Sequence, residues 1–158
     1  MRISTKGRYG ARAMLALASR YGNGLMRANE IAEEEAISLK YLENLLASLK
    51  AAGLIVSERG KRGGYALARP PAEITLYDIL SPLEDSLSVV HCVDGDRGCD
   101  RLSSCATREV WREIREAIDT ILKRRTLAEL LARQDTLRSL AGPADGTSKV
   151  EFIDRAAS

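Results

Sequence analysis

Residues 28–67 read ANEIAEEEAISLKYLENLLASLKAAGLIVSERGKRGGYAL, and this stretch decides the fold. Its first part predicts a short helix over residues 28–35, with Asn29 as its cap. Ser38 is a good N-cap for a second helix that runs to about residue 52, because leucines at positions 42, 45, 46 and 49 form one apolar stripe. Two short helices joined by a tight turn predict a helix-turn-helix.

The opening turns of the second helix carry polar side chains that can form hydrogen bonds. In a helix-turn-helix, the residues at this end of the second helix meet base edges in the major groove of DNA. The candidate contacts are Ser38, Lys40, Tyr41, Glu43 and Asn44. Because other helical hairpins share this pattern, the flanking segments have to support the interpretation.

A basic hairpin is predicted directly after the two helices. Residues 54–59 are typical of a strand, residues 60–64 form a glycine-rich turn, and the chain returns as a strand at residue 65. Arg59, Lys61 and Arg62 would lie at the tip, where cationic side chains reach phosphates or the minor groove. The alternative is an ordinary basic surface hairpin, but its position after a helix-turn-helix favours a wing. DNA is favoured over RNA, because no aromatic stacking platform is present.

The charge is divided between the two halves of the chain. Residues 1–69 carry 12 Lys/Arg against 6 Asp/Glu, a net charge of +6, and residues 70–158 carry 12 against 16, a net charge of −4. A basic half indicates a module that binds a polyanion. A further helix is predicted over residues 5–21, with Ser4 or Thr5 as its cap and glycines at 22 and 24 ending it.

The composition is that of an ordinary globular protein, with 45% apolar and 29% charged residues. Seven aromatic residues in 158 favour aliphatic helix packing, so a mainly α fold is predicted. No apolar run approaches the roughly 20 residues of a membrane span. The N-terminus shows no secretion signal and the cysteine count is odd, which together predict a cytoplasmic protein. No catalytic triad or nucleotide-binding glycine motif indicates an enzyme.

The acidic half predicts a sensing and dimerising region. Consecutive prolines after Arg69 mark a boundary, so we expect a DNA-binding domain over 1–69, a sensor and dimerisation region over 70–141 and a mobile tail over 142–158. Helices are predicted over residues 75–83, with Thr75 as the cap and Pro82 ending the helix, and over residues 105–125 and 126–132. The long helix carries one broad apolar stripe, formed by Val110, Trp111, Ile114, Ala117, Ile118, Ile121 and Leu122. Such a face needs a partner, either the rest of the chain or a second copy, and a homodimer would suit two DNA half-sites.

All three cysteines of the chain lie within fourteen residues, in the arrangement Cys92-x6-Cys99-x5-Cys105. Clustered cysteines in a polar, glycine-containing segment suggest thiolates gathered around a metal. The spacing lacks the C-x2–4-C pairs of short zinc sites and the C-x-x-C of redox pairs. An iron–sulfur cluster is favoured on these grounds, while zinc, thiol redox sensing and the absence of any ligand stay open.

Three stretches resemble one known family. Residues 2–9 (RISTKGRY), 37–43 (ISLKYLE) and 59–65 (RGKRGGY) are similar to the Rrf-type winged-helix regulators and, within them, to the IscR-type iron–sulfur regulators. The likeness covers about residues 1–135. It implies a homodimeric bacterial transcription factor that senses cluster status, nitric oxide or cysteine supply. It also implies base-edge contacts from the start of the recognition helix and a minor-groove role for Arg59.

The resemblance also implies that Cys92, Cys99 and Cys105 hold the cluster, with [2Fe–2S] favoured over [4Fe–4S]. Two departures from the family pattern concern the same site. The family has a histidine ligand three residues after the last cysteine, where this chain has Arg108, and the spacing between the first two cysteines is one residue longer. A guanidinium stays protonated and is a poor ligand. His91, a nearby carboxylate, the other subunit or an external ligand are the candidates for the fourth position.

The sequence therefore predicts a homodimeric regulator, acting as a repressor, whose binding to a double-stranded DNA operator depends on an iron–sulfur cluster. One alternative is a cluster-free repressor of cysteine metabolism resembling CymR. A second alternative, from a different class, is a small metal or iron–sulfur carrier protein. DNA binding would separate a regulator from a carrier, and iron and sulfide content would separate the two kinds of regulator.

Overall fold

The computed structural model describes residues 3–60, 62–93 and 104–141. Three helices, α1 (Thr5–Ser19), α2 (Ala28–Glu35) and α3 (Leu39–Ala51), precede a hairpin of β1 (Ile55–Glu58) and β2 (Gly64–Leu67). After a 3-10 turn at Pro71–Glu73 come the short helix α4 (Leu76–Leu80), a 3-10 turn at His91–Val93, and the helices α5 (Ala106–Arg124) and α6 (Leu127–Ala141). The predicted mainly α fold with a winged helix-turn-helix is confirmed.

The helix-turn-helix forms because each apolar stripe faces the same core. All four leucines of the predicted α3 stripe are buried, as are Ala13, Met14 and Leu17 of α1 and Ile31 of α2. Ser38 caps α3, and its hydroxyl accepts a hydrogen bond from the Tyr41 N–H at 3.3 Å. Helix α2 ends at Ala36, which adopts a left-handed conformation with φ 52° and turns the chain toward α3.

The wing is an antiparallel hairpin in which Ile55 pairs with Leu67 and Glu58 pairs with Gly64. Two glycines decide its turn. Gly60 has φ 113°, a left-handed conformation, and a Cβ at Gly63 would overlap the carbonyl of Glu58. β2 also pairs with the segment before α2, since Met26 and Tyr65 exchange backbone hydrogen bonds of 2.8 and 2.9 Å. This pairing attaches the wing to the helix-turn-helix.

The start of α4 and the start of α6 are joined side by side. The Leu76 N–H donates to the Arg125 carbonyl, and the Leu127 N–H donates to the Ile74 carbonyl, both at 2.8 Å. Thr75 and Asp78 form a capping box on α4, and Thr126 and Glu129 exchange the same pair of bonds on α6. Two threonine caps thus lie next to each other.

The hydrophobic core is not divided at the predicted boundary between residues 69 and 70. Ile74, Ile79, Leu83 and Leu127 are buried in the same cluster as the α1 and α3 side chains. Helix α1 packs against α2, α3, α4, α6 and β2, so it forms the centre of the molecule. The functional division into 1–69, 70–141 and 142–158 stays a prediction, and residues 142–158 lie outside the described residues.

Two details of the predicted elements are wrong. Asn29 does not cap α2, which begins at Ala28, because the pairing of Met26 keeps Arg27 extended and makes Arg27 the N-cap; the Glu30 carboxylate accepts from its N–H at 3.0 Å. Helix α6 runs to Ala141 instead of residue 132, since no glycine or proline occurs before residue 142. By contrast, α4 has its predicted Thr75 cap and stops at Leu80, just before Pro82, which was predicted to end it because proline has no N–H to continue the ladder.

None of the helices in the described ranges is both long enough and apolar enough to span a bilayer.

Candidate functional site

The predicted base-reading side chains lie along one exposed side of α3. Lys40, Glu43 and Asn44 are exposed, and Ser38 is exposed at the cap. They are presented on a rigid support, because the opposite side of the same helix holds four buried leucines. A helix fixed in this way can enter a groove without rearranging. The structure brings these side chains together on one surface and leaves them free of the core.

Tyr41 differs from its neighbours because it is half-buried. Its ring meets the ring of Tyr9 edge-on, with centroids 6.1 Å apart, and the Arg12 guanidinium lies 5.5 Å from the centroid of Tyr9. Burial, followed by the neighbouring Tyr9, raises the pKa of Tyr41 above its ordinary value. Tyrosine is protonated at neutral pH even at its ordinary pKa, so the phenol can donate a hydrogen bond from the start of the recognition helix.

The wing residues lie beside the same helix. Arg59 and Arg62 are exposed, and Lys61 lies outside the described residues. A cleft of about 410 Å³ separates the wing from α3, and both Glu43 and Arg59 line it. The Lys50 ammonium crosses from α3 to β1 by donating to the Ser57 hydroxyl at 2.6 Å. The recognition helix and the wing therefore lie side by side with exposed polar and basic side chains on both, an arrangement that can straddle a DNA groove and its phosphates.

A second cleft, of about 380 Å³, lies on the other side of α3. Lys6 of α1 and Tyr41 and Asn44 of α3 line one wall, and the segment from Pro82 to Asp85 lines the other. The chain that leads to the cysteines thus runs alongside the predicted DNA-reading helix.

Leu83 and Glu84, here called the α1 latch, hold this segment against α1. One carboxylate oxygen of Glu84 accepts from both the N–H and the hydroxyl of Ser4 at 2.9 Å, and Ser4 caps α1. A Cβ at Gly7 would overlap that Glu84 oxygen, and a Cβ at Gly10 would overlap Leu83. The two glycines therefore provide the space in which the latch packs.

The latch and the glycines of α1 were missed in the sequence analysis. The available signal was a Gly-x-x-Gly pair inside a predicted helix, since glycine disfavours helices and usually marks a close approach.

Helix α5 divides its predicted apolar stripe between two faces. Leu122 is buried and Ile118 packs beside it, in a cluster with Leu80 and Leu87. The other face is exposed along its length, at Val110, Ile114, Ala117 and Ile121. Ile121 is 60% exposed and Val110 is 49% exposed, which is unusual for large apolar side chains on one stripe.

The outer two cysteines lie at the N-terminal end of α5. Cys92 belongs to the His91–Val93 turn, which packs against α5, and Cys105 is the N-cap residue of that helix. Both thiols are half-buried, and the Cys105 sulfur lies 3.2 Å from the Thr107 hydroxyl. The Arg108 guanidinium donates from Nε to the Cys92 carbonyl at 3.2 Å. Cys99 and the side chain of His91 lie outside what the structure describes.

Within the described ranges, no three His, Cys, Asp or Glu side chains come close enough to hold a metal.

Comparison with known proteins agrees with this architecture. The Rrf2 family profile, described as an iron-dependent transcriptional regulator, matches residues 3–133. The HTH-type transcriptional regulator IscR of Serratia proteamaculans is 38% identical over 137 residues, covering 87% of this chain and 83% of the relative. The solved structure of T. potens IscR has a TM-score of 0.72 and 37% identity, covering 87% of this chain and 91% of that one.

The solved structure of CymR, the global cysteine regulator of B. subtilis, is as similar. It has a TM-score of 0.72 and 38% identity, covering 84% of this chain and 98% of that one. The profile, the identities and the shared winged fold together show that the chain belongs to the Rrf2 family of DNA-binding transcriptional regulators, and that it is not an enzyme.

Proposed function

We propose that this chain is a homodimeric repressor in the cytoplasm whose binding to a double-stranded DNA operator is controlled by an iron–sulfur cluster. The observation that carries the proposal is the position of the outer two cysteines. Both lie at the start of α5, the helix whose other apolar face is left exposed. The candidate ligands and the candidate dimer contact therefore belong to the same element.

DNA binding is assigned to the exposed side of α3 and to the wing. Ser38, Lys40, Tyr41, Glu43 and Asn44 would approach base edges, while Arg59, Lys61 and Arg62 would approach phosphates or the minor groove. The support for this is geometric, because the first group lies at the start of one helix and Arg59 lies across a cleft from Glu43.

A second copy is the occupant we propose for the exposed face of α5. One winged helix reads only one half-site, and two recognition helices have to lie about 34 Å apart to meet successive major grooves. Pairing of two α5 helices would cover Val110, Ile114, Ala117 and Ile121 in both copies at once, because a two-fold interface uses the same patch twice.

The donor set fits an iron–sulfur cluster. Cys92, Cys99 and Cys105 would hold it, since thiolates are the ligands that such clusters prefer. When bound, the cluster would supply a centre whose state changes with oxygen, nitric oxide or iron supply. The fourth ligand stays a proposal shared among His91, a nearby carboxylate, the partner subunit and an external ligand.

The chain's own residues suggest how the cysteine segment, defined here as residues 92–105, could affect DNA binding. On its N-terminal side, the α1 latch attaches the preceding segment to Ser4 and α1. Helix α1 in turn contacts α3 through Tyr9 and Tyr41. On its C-terminal side, the segment continues directly into α5. A change in the conformation of the cysteine segment would therefore affect both the recognition helix and the proposed dimer contact.

A cluster-free regulator resembling CymR is the second candidate, because the structural similarity to CymR and to IscR is equal. The three cysteines within fourteen residues favour the cluster, since a cluster-free regulator has no need of them.

The test is anaerobic reconstitution with ferrous iron and sulfide, followed by iron and sulfide determination, an absorption spectrum and gel shifts on promoter DNA near its own gene. We expect a bound cluster in the wild type, its loss in Cys99→Ala and its retention in the control Ser104→Ala. We also expect DNA binding that weakens steeply with salt and differs between the loaded and empty forms. DNA binding with no uptake of iron would favour the CymR-like alternative, and failure to bind DNA in either form would exclude the proposal.

A further inference from the structure

Arg108 occupies the position at which the family's histidine ligand is expected, and it contacts both ends of the cysteine segment. Its backbone N–H donates to the Cys105 carbonyl at 3.1 Å, and its side-chain Nε–H donates to the Cys92 carbonyl at 3.2 Å. One residue therefore hydrogen-bonds two cysteines that are thirteen positions apart in the sequence. The side chain is half-buried, so these bonds are partly protected from water.

The turn that holds Cys92 is a single short 3-10 turn, His91–Val93, packed against α5. The bond from the Val93 N–H to the Val90 carbonyl is 3.5 Å long, at the limit of a hydrogen bond. A charged donor forms a stronger bond to a carbonyl than a neutral one does. The Arg108 guanidinium thus links this turn directly to the first turn of α5.

Closing the twelve residues between Cys92 and Cys105 around a ligand carries a cost in conformational entropy. A contact that already holds the two ends together reduces the part of this cost that falls on ligand binding, which is the general advantage of preorganisation. Arginine suits this task beside a metal, because it has no lone pair with which to compete as a ligand and stays charged at every working pH.

We infer that Arg108 is a positioning residue that clamps the base of the cysteine segment before any metal or cluster is bound. It acts through the Cys92 backbone and supplies no ligand, so the fourth ligand comes from another residue or from outside the chain. The inference rests on the proposed function only for the identity of the ligand, because the clamp is a property of the metal-free chain.

The test compares Arg108→Ala and Arg108→Lys with the control Arg112→Ala. Arg112 lies one turn further along α5, is exposed and makes no hydrogen bond or ion pair to the described residues. Replacing it with alanine therefore removes the same charge as Arg108→Ala without removing a contact. The first measurement is backbone hydrogen exchange of the metal-free protein, followed by mass spectrometry. We expect exchange in peptides covering residues 90–93 to be about tenfold faster in Arg108→Ala and unchanged in Arg112→Ala.

The second measurement is anaerobic titration with ferrous iron and sulfide, followed by the absorption spectrum. We expect half-loading of Arg108→Ala at about tenfold higher iron concentration and an unchanged spectrum at saturation, because the ligands are the same. Arg108→Lys, which keeps a charged donor, should be intermediate in both measurements. It also keeps the test informative if Arg108→Ala does not fold.

The outcomes separate the clamp from the cluster. Faster exchange in Arg108→Ala, with no iron uptake even by the wild type, supports the clamp and refutes the cluster. Wild-type exchange in Arg108→Ala refutes the clamp, whether or not the wild type takes up iron. If Arg108→Ala exchanges faster but takes up iron at the same concentration as the wild type, the positioning role is refuted. If its absorption spectrum at saturation is altered, Arg108 acts on the cluster directly, and the inference is also overturned.

Discussion

Helices α3 and α5 carry similar apolar stripes in the sequence but use them differently. Helix α3 buries four leucines in 13 residues, whereas α5 buries only Leu122 in 19. The apolar side chains of the α3 stripe are buried within their own chain, whereas most of those in the α5 stripe are exposed. The comparison teaches that the apolar stripe of the recognition helix is buried within its own chain, while α5 keeps an exposed apolar face, for which we propose a second copy as the partner.

The largest expected effect tests the burial of the α3 stripe within its own chain. Leu46 is fully buried on α3, and Leu140 at the end of α6 is 76% exposed. Leu46→Ala should lower the free energy of unfolding by about 2–5 kcal/mol, because it removes buried methyl groups and leaves a cavity. Leu140→Ala should change it by no more than about 0.5 kcal/mol. Urea denaturation at one fixed protein concentration measures both, and equal losses would contradict the comparison.

The next largest effect tests the exposed apolar face of α5 as a dimer contact. Ile121→Asp adds a charge to the proposed contact in both copies, so the dissociation constant of the dimer should rise about 100-fold, as expected when a large apolar contact residue is replaced by a charge. Thr120→Asp places the same charge on a neighbouring, exposed position outside the stripe and is the control. Sedimentation velocity over a concentration series measures the change. If Ile121→Asp leaves the dimer intact, α5 is not the contact.

The smallest effect tests how the α1 latch packs against the glycines of α1. A Cβ in Gly10→Ala would overlap the buried Leu83, and overpacking of about 1–3 kcal/mol should exceed the gain of up to about 1 kcal/mol in helix propensity. We therefore expect a net loss of about 1–2 kcal/mol in thermal or urea unfolding. In a Leu83→Ala background the same change should become neutral or stabilising, since the space is then open. A loss of the same size in both backgrounds would show that Leu83 is not the obstacle.

Most of the fold follows from local rules, which is why the sequence analysis predicted it. The α3 stripe, the Ser38 cap and the glycines of the wing are each recognisable within one turn of chain, and α3 begins and ends within a residue of its predicted bounds. The wrong end of α6 concerns a local signal, the lack of Gly and Pro between residues 127 and 141, whereas the wrong cap of α2 arises where distant segments meet. Arg27 caps α2 because Met26 pairs with Tyr65, nearly forty residues later, and no local pattern shows that pairing.

The candidate site divides in the same way. By itself, the sequence determined which residue types are available: polar side chains at the start of α3, a basic wing, three clustered cysteines and an arginine in place of a histidine. Only the tertiary structure decided which face of α5 stays exposed, how Leu83 and Glu84 pack on the α1 glycines, and that Arg108 bonds the Cys92 backbone. The reason is physical, because side-chain type and local propensity act within a few residues, whereas burial and long-range hydrogen bonds depend on which surfaces the folded chain brings together.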